Sequence, residues 1–158
     1  MTVYQKTMTA TVYVMRGNEV LLHWHKKYDT WFPLGGHIEK DEFPHEAAIR
    51  EAREEAGIEI SLHRTEIAPE IDVGRVGRIP APFCIFQEEG RDEEFFDFIF
   101  IGHTDAIELH PDPDESLVFE WFSEEKLLHS DVKPHIKNTA LAVLRHLKDE
   151  KIPFIKEI

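Results

Sequence analysis

The stretch from Gly35 to Ile58, GGHIEKDEFPHEAAIREAREEAGI, constrains this chain more than any other. Proline can open a helix because the N–H it lacks would have no partner in a first turn. Glycine can close one by taking a left-handed conformation that a Cβ disfavours. Pro44 and Gly57 therefore predict a helix between them. At about 100° of rotation per residue, Ile49, Ala52 and Ala56 fall on one side of it, and Glu51, Glu54 and Glu55 on another. Such a helix has an apolar side to bury and a carboxylate side to show. Like charges one turn apart repel by roughly a few tenths of a kcal/mol per exposed pair, and a divalent cation would remove that cost. Oxygen ligands in this number suit Mg2+ or Mn2+, and Mg2+ is commonly shared between carboxylates and substrate phosphates. The competing reading of E-x-x-E-E in so glutamate-rich a chain is a solvated acidic face.

The same stretch resembles the signature of the Nudix (MutT-like) hydrolases, G-x5-E-x7-R-E-U-x-E-E-x-G-U, where U is apolar. Gly36, Glu42, Arg50, Glu51, Glu54, Glu55 and Gly57 occupy its fixed positions and Ile58 its last apolar one. Ala52 is smaller than the usual residue at the first apolar position, a departure that touches helix packing. The resemblance implies an α/β protein with the Nudix fold, an α/β/α sandwich around a mixed β-sheet. It also implies a Mg2+-dependent pyrophosphohydrolase that cleaves the diphosphate linkage of a nucleoside diphosphate joined to another moiety X. Carried over position by position, Glu54 and Glu55 are the main metal ligands, and Glu51 is a further ligand or the base that takes a proton from water. The Gly36 carbonyl is a metal ligand, Arg50 orients the carboxylates, Glu42 holds Arg50, and Glu39 is an accessory ligand or structural partner. Where the family often carries W-x-x-P-G-G, this chain reads Trp31-Phe32-Pro33-Leu34-Gly35-Gly36, with proline one place early. That shift leaves the loop shape open.

Two other readings stand beside this one. A catalytically inactive Nudix-fold module could bind a nucleotide and regulate a partner, and turnover of a diphosphate library separates it from the enzyme. Isoprenoid diphosphate isomerisation needs a cysteine and a second glutamate in an enclosed pocket, whereas Cys84 sits in the apolar run PFCIF as an expected buried structural thiol.

With 158 residues, of which 42% are hydrophobic, the chain is expected to form a single domain over 1–158. No apolar run is long enough for a membrane span, and the first residues lack the pattern of a signal peptide, so the expected location is cytoplasmic. One cysteine excludes an internal disulfide and fits a reducing compartment. The net charge of −13 argues against general nucleic-acid binding and points to a small-molecule partner. An acidic pocket also repels a diphosphate unless cations stand between the two. Oligomeric state, a homodimer included, is not legible.

Elsewhere, Thr9 to Met15, Val20 to His25, Ile58 to Leu62, Phe83 to Gln87, Phe95 to Gly102 and Leu117 to Phe122 read as strands. The first two are joined by the turn Arg16-Gly17-Asn18, and Glu88 to Glu94 reads as a polar hairpin turn. His23 and His25 share a strand face and read as a solvated or substrate-facing pair before a zinc site, since no third soft ligand is in view. Phe96, Phe98 and Phe100 read as core, while Glu93 and Glu94 are a solvated turn or, as in some Nudix enzymes, a source of a catalytic glutamate outside the signature. The aperiodic stretch Ala68 to Pro82 carries Arg75 and Arg78, weighed equally as contacts for substrate phosphate or as plain surface. Ser123 is an expected N-cap, and Ile136, Ala140, Val143, Leu144 and Leu147 line a final amphipathic helix after Lys133-Pro134.

Overall fold

The computed structural model describes residues 5–65, 77–90, 93–115 and 118–149. In chain order they form β1 (Gln5–Arg16), β2 (Glu19–His25), β3 (Thr30–Phe32), β4 (Leu34–His37), α1 (Pro44–Ala56), β5 (Ser61–Leu62), β6 (Cys84–Glu89), β7 (Glu93–His103), β8 (Phe119–Phe122), α2 (Glu124–Leu128) and α3 (Pro134–Asp149).

The sheet is built around β1. Along one edge β1 runs parallel to β7, from Gln5 opposite Glu93 to Met15 opposite His103. Along its other edge it meets β4 at Thr9–Val12 and β2 at Met15–Arg16, both antiparallel. Strand β2 also carries β3 and β8, and β7 also carries β5 and β6, all antiparallel, so the sheet is mixed. Period-two alternation sends successive β1 side chains to opposite faces. Ala10, Val12 and Val14 pack with Leu21, Leu34 and Phe100 against Ala47, Ala48, Ala52 and Ala56 of α1. Tyr13 and Met15 pack with Val20, Leu22, Ile99 and Ile101 against Leu127 of α2 and Ile136, Ala140, Val143 and Leu144 of α3. Each large aliphatic so buried contributes on the order of 2 kcal/mol. Helices cover both faces, which is the α/β/α sandwich expected. No helix among the described residues is long and apolar enough to cross a membrane.

Helix α1 has the expected limits. Pro44 opens it, the Glu46 carboxylate accepts the Phe43 N–H at 2.9 Å, and Gly57 closes it at φ 63°. Its buried residues are four alanines and Glu55, whereas Ile49, expected there, is half-buried and lies beside Arg50 and Arg53 on the outer surface. Small side chains let the helix axis lie close to β4. Ser123 caps α2 by accepting the Lys126 N–H at 3.2 Å.

Other expectations need correction. Only Ser61–Leu62 of the predicted Ile58–Leu62 strand joins the sheet, because Ile58 is buried against α1 and the Glu59 carbonyl accepts the Thr104 hydroxyl. The β6–β7 ladder runs through Glu88 and Glu89, opposite Phe95 and Glu94, so the turn is shorter than Glu88–Glu94. Glu93 and Glu94 thus belong to β7. Phe100 is buried and Phe98 packs on the same core, while Phe96 is half-buried with Lys6 over its ring. Trp31 to Gly36 forms two short strands separated by Pro33, which has no N–H to give to a ladder. Cys84 is half-buried, not buried, and burial raises its thiol pKa. Arg75 lies outside the described residues, as does Leu117 of the expected last strand.

Candidate active site

The α1 carboxylates do not form a uniform exposed face. Glu54 is about half exposed, the Glu51 side chain is 13% exposed, and Glu55 is buried. Ala52 and Ala56 bring this side of the helix against β4, and the Gly35 N–H donates to Glu55 Oε2 at 2.8 Å. One residue along, a Cβ built on Gly36 would stand 2.3 Å from Glu51 Oε1. Only glycine leaves room for that carboxylate against the strand.

Arg50 organises the group. Its Nε and Nη2 donate to the two Glu42 oxygens at 2.8 and 3.0 Å, and Nη1 donates to Glu51 Oε1 at 2.8 Å and to Glu54 Oε2 at 2.9 Å. Nη2 also donates to the His37 carbonyl at 3.0 Å. All five guanidinium N–H groups thus have an acceptor. The hydrogen bonds from Arg50 hold the Glu42 carboxyl below the usual range, and Glu42 in turn raises the Arg50 pKa. The Glu39 N–H donates to Glu42 Oε2 at 3.1 Å, so Glu39 meets this network through its backbone.

Burial raises the pKa of Glu51, against the lowering influence of Arg50. It pushes Glu55 up to about 8, with Glu51, Glu115 and Glu54 adding to the rise and the Gly35 N–H opposing it. Glu115 has no place in the sequence pattern. It reaches the site because the His110 and Asp112 N–H groups bond the Ala56 and Glu54 carbonyls at the end of α1, which seats the 110–115 segment beside the helix. The only local signal was the break at His110-Pro111-Asp112-Pro113-Asp114, which does not reveal where the following glutamate goes.

His23 also belongs here. It is 3% exposed, so it is not a solvated residue, and its Nε2 stands 3.9 Å from Glu55 Oε1. Burial, helped by His25, lowers its pKa to about 4 and keeps the ring neutral. It stacks on Phe119, and the half-buried His25 lies against Tyr28 and Phe32.

Among the described residues, no three His, Cys, Asp or Glu side chains form a ready metal cluster. Arg50 Nη1 lies between Glu51 and Glu54. The donor set nevertheless suits a hard divalent cation. Its side-chain oxygens come from Glu51, Glu54 and Glu55, and mutual repulsion contributes to the raised pKa of two of them, a cost a cation offsets. Arg78 is exposed and lies in the segment before β6.

The NUDIX domain model matches residues 5–143. Two mouse proteins, diphosphoinositol polyphosphate phosphohydrolases 3-alpha and 3-beta, are each 31% identical over 115 residues, which cover 70% of this chain and 58% of theirs. The chain therefore spans a little over half the length of these curated relatives. A solved hydrolase of the NUDIX family from Clostridium perfringens superposes with a TM-score of 0.79 at 31% identity, covering 89% of this chain and 97% of that one. A C. elegans Ap4A hydrolase binary complex superposes with a TM-score of 0.61 at 18% identity, covering 90% and 95%, a likeness of fold alone.

Proposed function

Because the chain belongs to the Nudix family, we propose that it is a pyrophosphohydrolase, a single domain that uses Mg2+, or Mn2+ in its place, to cleave the diphosphate linkage of a nucleoside diphosphate joined to another moiety. The observation that carries this reading is the seating of Glu55 on the Gly35 N–H and of Glu51 against Gly36, with Glu54 joined to Glu51 through Arg50 and Arg50 locked to Glu42. The mouse relatives are named for diphosphoinositol polyphosphates and the worm structure for Ap4A. Those compounds share a phosphoanhydride, which supports the reaction class while leaving the attached group open.

Glu54 and Glu55, with Glu51 and the Gly36 carbonyl, hold the cation in this proposal. When bound, it neutralises diphosphate oxygens and acidifies a coordinated water. The residues of the chain supply position and proton transfer. Glu42 fixes the plane of Arg50, and Arg50 fixes the carboxylates of Glu51 and Glu54 through bonds of 2.8 and 2.9 Å. Glu51, its Oε1 fixed by Arg50 at 2.8 Å, also serves in this proposal as the base that accepts a proton from the attacking water. Water oxygen bonds to phosphorus, the bond to the leaving phosphate oxygen breaks, and the water proton ends on Glu51. Glu55, anchored on the Gly35 N–H, keeps α1 and β4 in register during turnover. Arg78, exposed in the segment before β6, assists in this proposal by contacting substrate phosphate.

The test is a hydrolysis screen over sugar nucleotides, ADP-ribose, dinucleoside polyphosphates, diphosphoinositol polyphosphates and nucleoside triphosphates, with Mg2+ and with EDTA. Release of phosphorylated products from at least one class, abolished by EDTA, is the expected result. Nucleotide binding with no turnover of any class would favour the regulatory module instead.

A further inference from the structure

The chemistry above uses the α1 side of the sheet, and on the opposite side three histidines meet. His63 follows β5, His103 ends β7 and His146 lies in the last turn of α3. Their meeting has identifiable causes. Ser61 pairs with His103 across the antiparallel β5–β7 ladder, and the His63 N–H donates to the Ile101 carbonyl at 2.8 Å, which fixes His63 beside the end of β7. Period-two alternation turns His103 to the face of Ile99 and Ile101. There Val143 and Leu144 dock α3 in the same core and bring His146 over the pair.

The spacing of two of these rings is that of ligands. His103 Nε2 stands 3.2 Å from His63 Nδ1, and the ring centroids are 5.3 Å apart. Two imidazoles on one tetrahedral ion, each bound at about 2.0–2.1 Å, hold their nitrogens about 3.3 Å and their centroids about 5 Å apart. A hydrogen bond between the rings now fills that bite. His146 is close to its place without being in it. Its ring stands edge-on to His63 with centroids 6.1 Å apart, about 1 Å farther than a pair of ligands allows, so the three are not a ready cluster. His146 leans on Phe83, an apolar contact that a small turn of the ring preserves. All three rings are half-buried, so an ion from solvent can reach them, and the charge of Asp105 acts on His103.

We propose that His63 Nδ1, His103 Nε2 and a ring nitrogen of His146 form a second cation site, for a transition metal of the Zn2+ or Ni2+ kind, that ties β5 and β7 to α3. The site goes beyond the hydrolase reading and does not depend on it. Neutral imidazole suits these ions, whereas Mg2+ prefers oxygen, so the nitrogen site and the α1 carboxylates sort metals between them. The ion takes the place of the proton between the two rings, and the ring that carried that proton is protonated on its other nitrogen instead. His63 and His146 lie far apart in the chain and meet only in the fold. Binding there therefore stabilises the folded chain over the unfolded one.

The experiment titrates the full chain, stripped with chelator and kept in excess Mg2+ to compete for oxygen ligands, with ZnCl2. NMR follows the 15N signals of the histidine rings, calorimetry gives the affinity, and thermal unfolding gives the gain in stability. One equivalent of Zn2+ should move the signals of His63 Nδ1, His103 Nε2 and one nitrogen of His146, and should raise Tm above its value in Mg2+ alone. His63→Gln, His103→Gln and His146→Gln should each weaken Zn2+ by roughly tenfold or more, since metal sites lose that much even with an outer partner. The Tm response to Mg2+ should stay that of the parent in all three. Zn2+ affinity unchanged in any variant that folds overturns the site. So do Zn2+-induced shifts confined to other residues, such as His23 and His25 or the α1 carboxylates, and that outcome is read on the parent alone should every variant fail to fold. Turnover is not among these readouts, so loss of the zinc site leaves the hydrolase reading standing.

Discussion

Arg50 and Glu42 meet as two planar forks, with Nε 2.8 Å from Oε1 and Nη2 3.0 Å from Oε2, although eight residues separate them in sequence. The same guanidinium holds Glu51 and Glu54, so its plane sets the direction of two carboxylates at once. Lysine carries the charge without the fork. Arg50→Lys should lower kcat/KM by at least tenfold, while stability falls by about 1–3 kcal/mol for the lost charge-assisted bonds. Steady-state kinetics and urea unfolding measure the two. Parent-like kinetics in a folded Arg50→Lys protein would remove Arg50 from the account.

Gly36→Ala separates chemistry from folding. The added Cβ would stand 2.3 Å from Glu51 Oε1 and 2.7 Å from its Cδ, at the end of a flexible side chain that can swing away. Stability should change by no more than roughly 1 kcal/mol, whereas turnover should fall at least tenfold because Glu51 leaves Arg50. Equal losses in both would mean that the strand, not Glu51, had moved.

Gly57→Ala should act through folding. The residue is in the left-handed region at φ 63°, and a Cβ there would meet the His110 carbonyl oxygen at 1.9 Å, a backbone atom with no rotamer to escape to. Strain of about 1–3 kcal/mol is expected, together with loosening of the His110–Asp112 segment that seats Glu115. Chemical denaturation gives the first, and hydrogen exchange at the His110 and Asp112 amides, bonded to the Ala56 and Glu54 carbonyls, gives the second.

The pH dependence of stability should carry the mark of His103. Burial, aided by His63 at 3.2 Å, lowers its pKa from 6.5 to about 4. Between those values the unfolded chain binds a proton that the folded chain refuses, so stability rises with pH through the window and is lost as pH falls from 6.5 towards 4. His103→Gln should flatten this slope in urea midpoints measured at pH 4.5 and 7. Identical slopes in parent and variant would assign the acid sensitivity to other groups.

Much of this was legible in sequence, and the reasons differ by element. Helix α1 was readable because Pro44 and Gly57 punctuate it through local backbone rules, and α3 because Ile136, Ala140, Val143 and Leu144 repeat at helical spacing. What stayed hidden depends on contacts between segments far apart in the chain. His23 is buried between β3 and β8, opposite Phe32 and Phe119, with Glu55 3.9 Å away. Ile49 gave way to alanines at the core because α1 packs close to β4. Glu115 reaches the carboxylates through backbone caps on Glu54 and Ala56, and Asp97 meets Thr9 and Thr11 across a parallel pairing that no local pattern announces. The short β3 and β4 are likewise set by partners on β2 and β1.

The central claim is that Glu51, Glu54 and Glu55 hold a divalent cation at which a diphosphate is cleaved. Glu55→Gln tests it most directly, since the change keeps the shape of a buried side chain whose carboxyl accepts the Gly35 N–H and removes its capacity for negative charge. A bound ligand raises stability in proportion to the logarithm of its concentration over its Kd. The measurement is thermal unfolding of parent and Glu55→Gln, with EDTA and across a Mg2+ titration, beside turnover of the substrate found in the screen. The account predicts that the parent Tm climbs with Mg2+, that the variant is at least as stable as the parent in EDTA yet responds less to Mg2+, and that its kcat falls by orders of magnitude. A variant that follows Mg2+ as the parent does and turns over at a similar rate would contradict it.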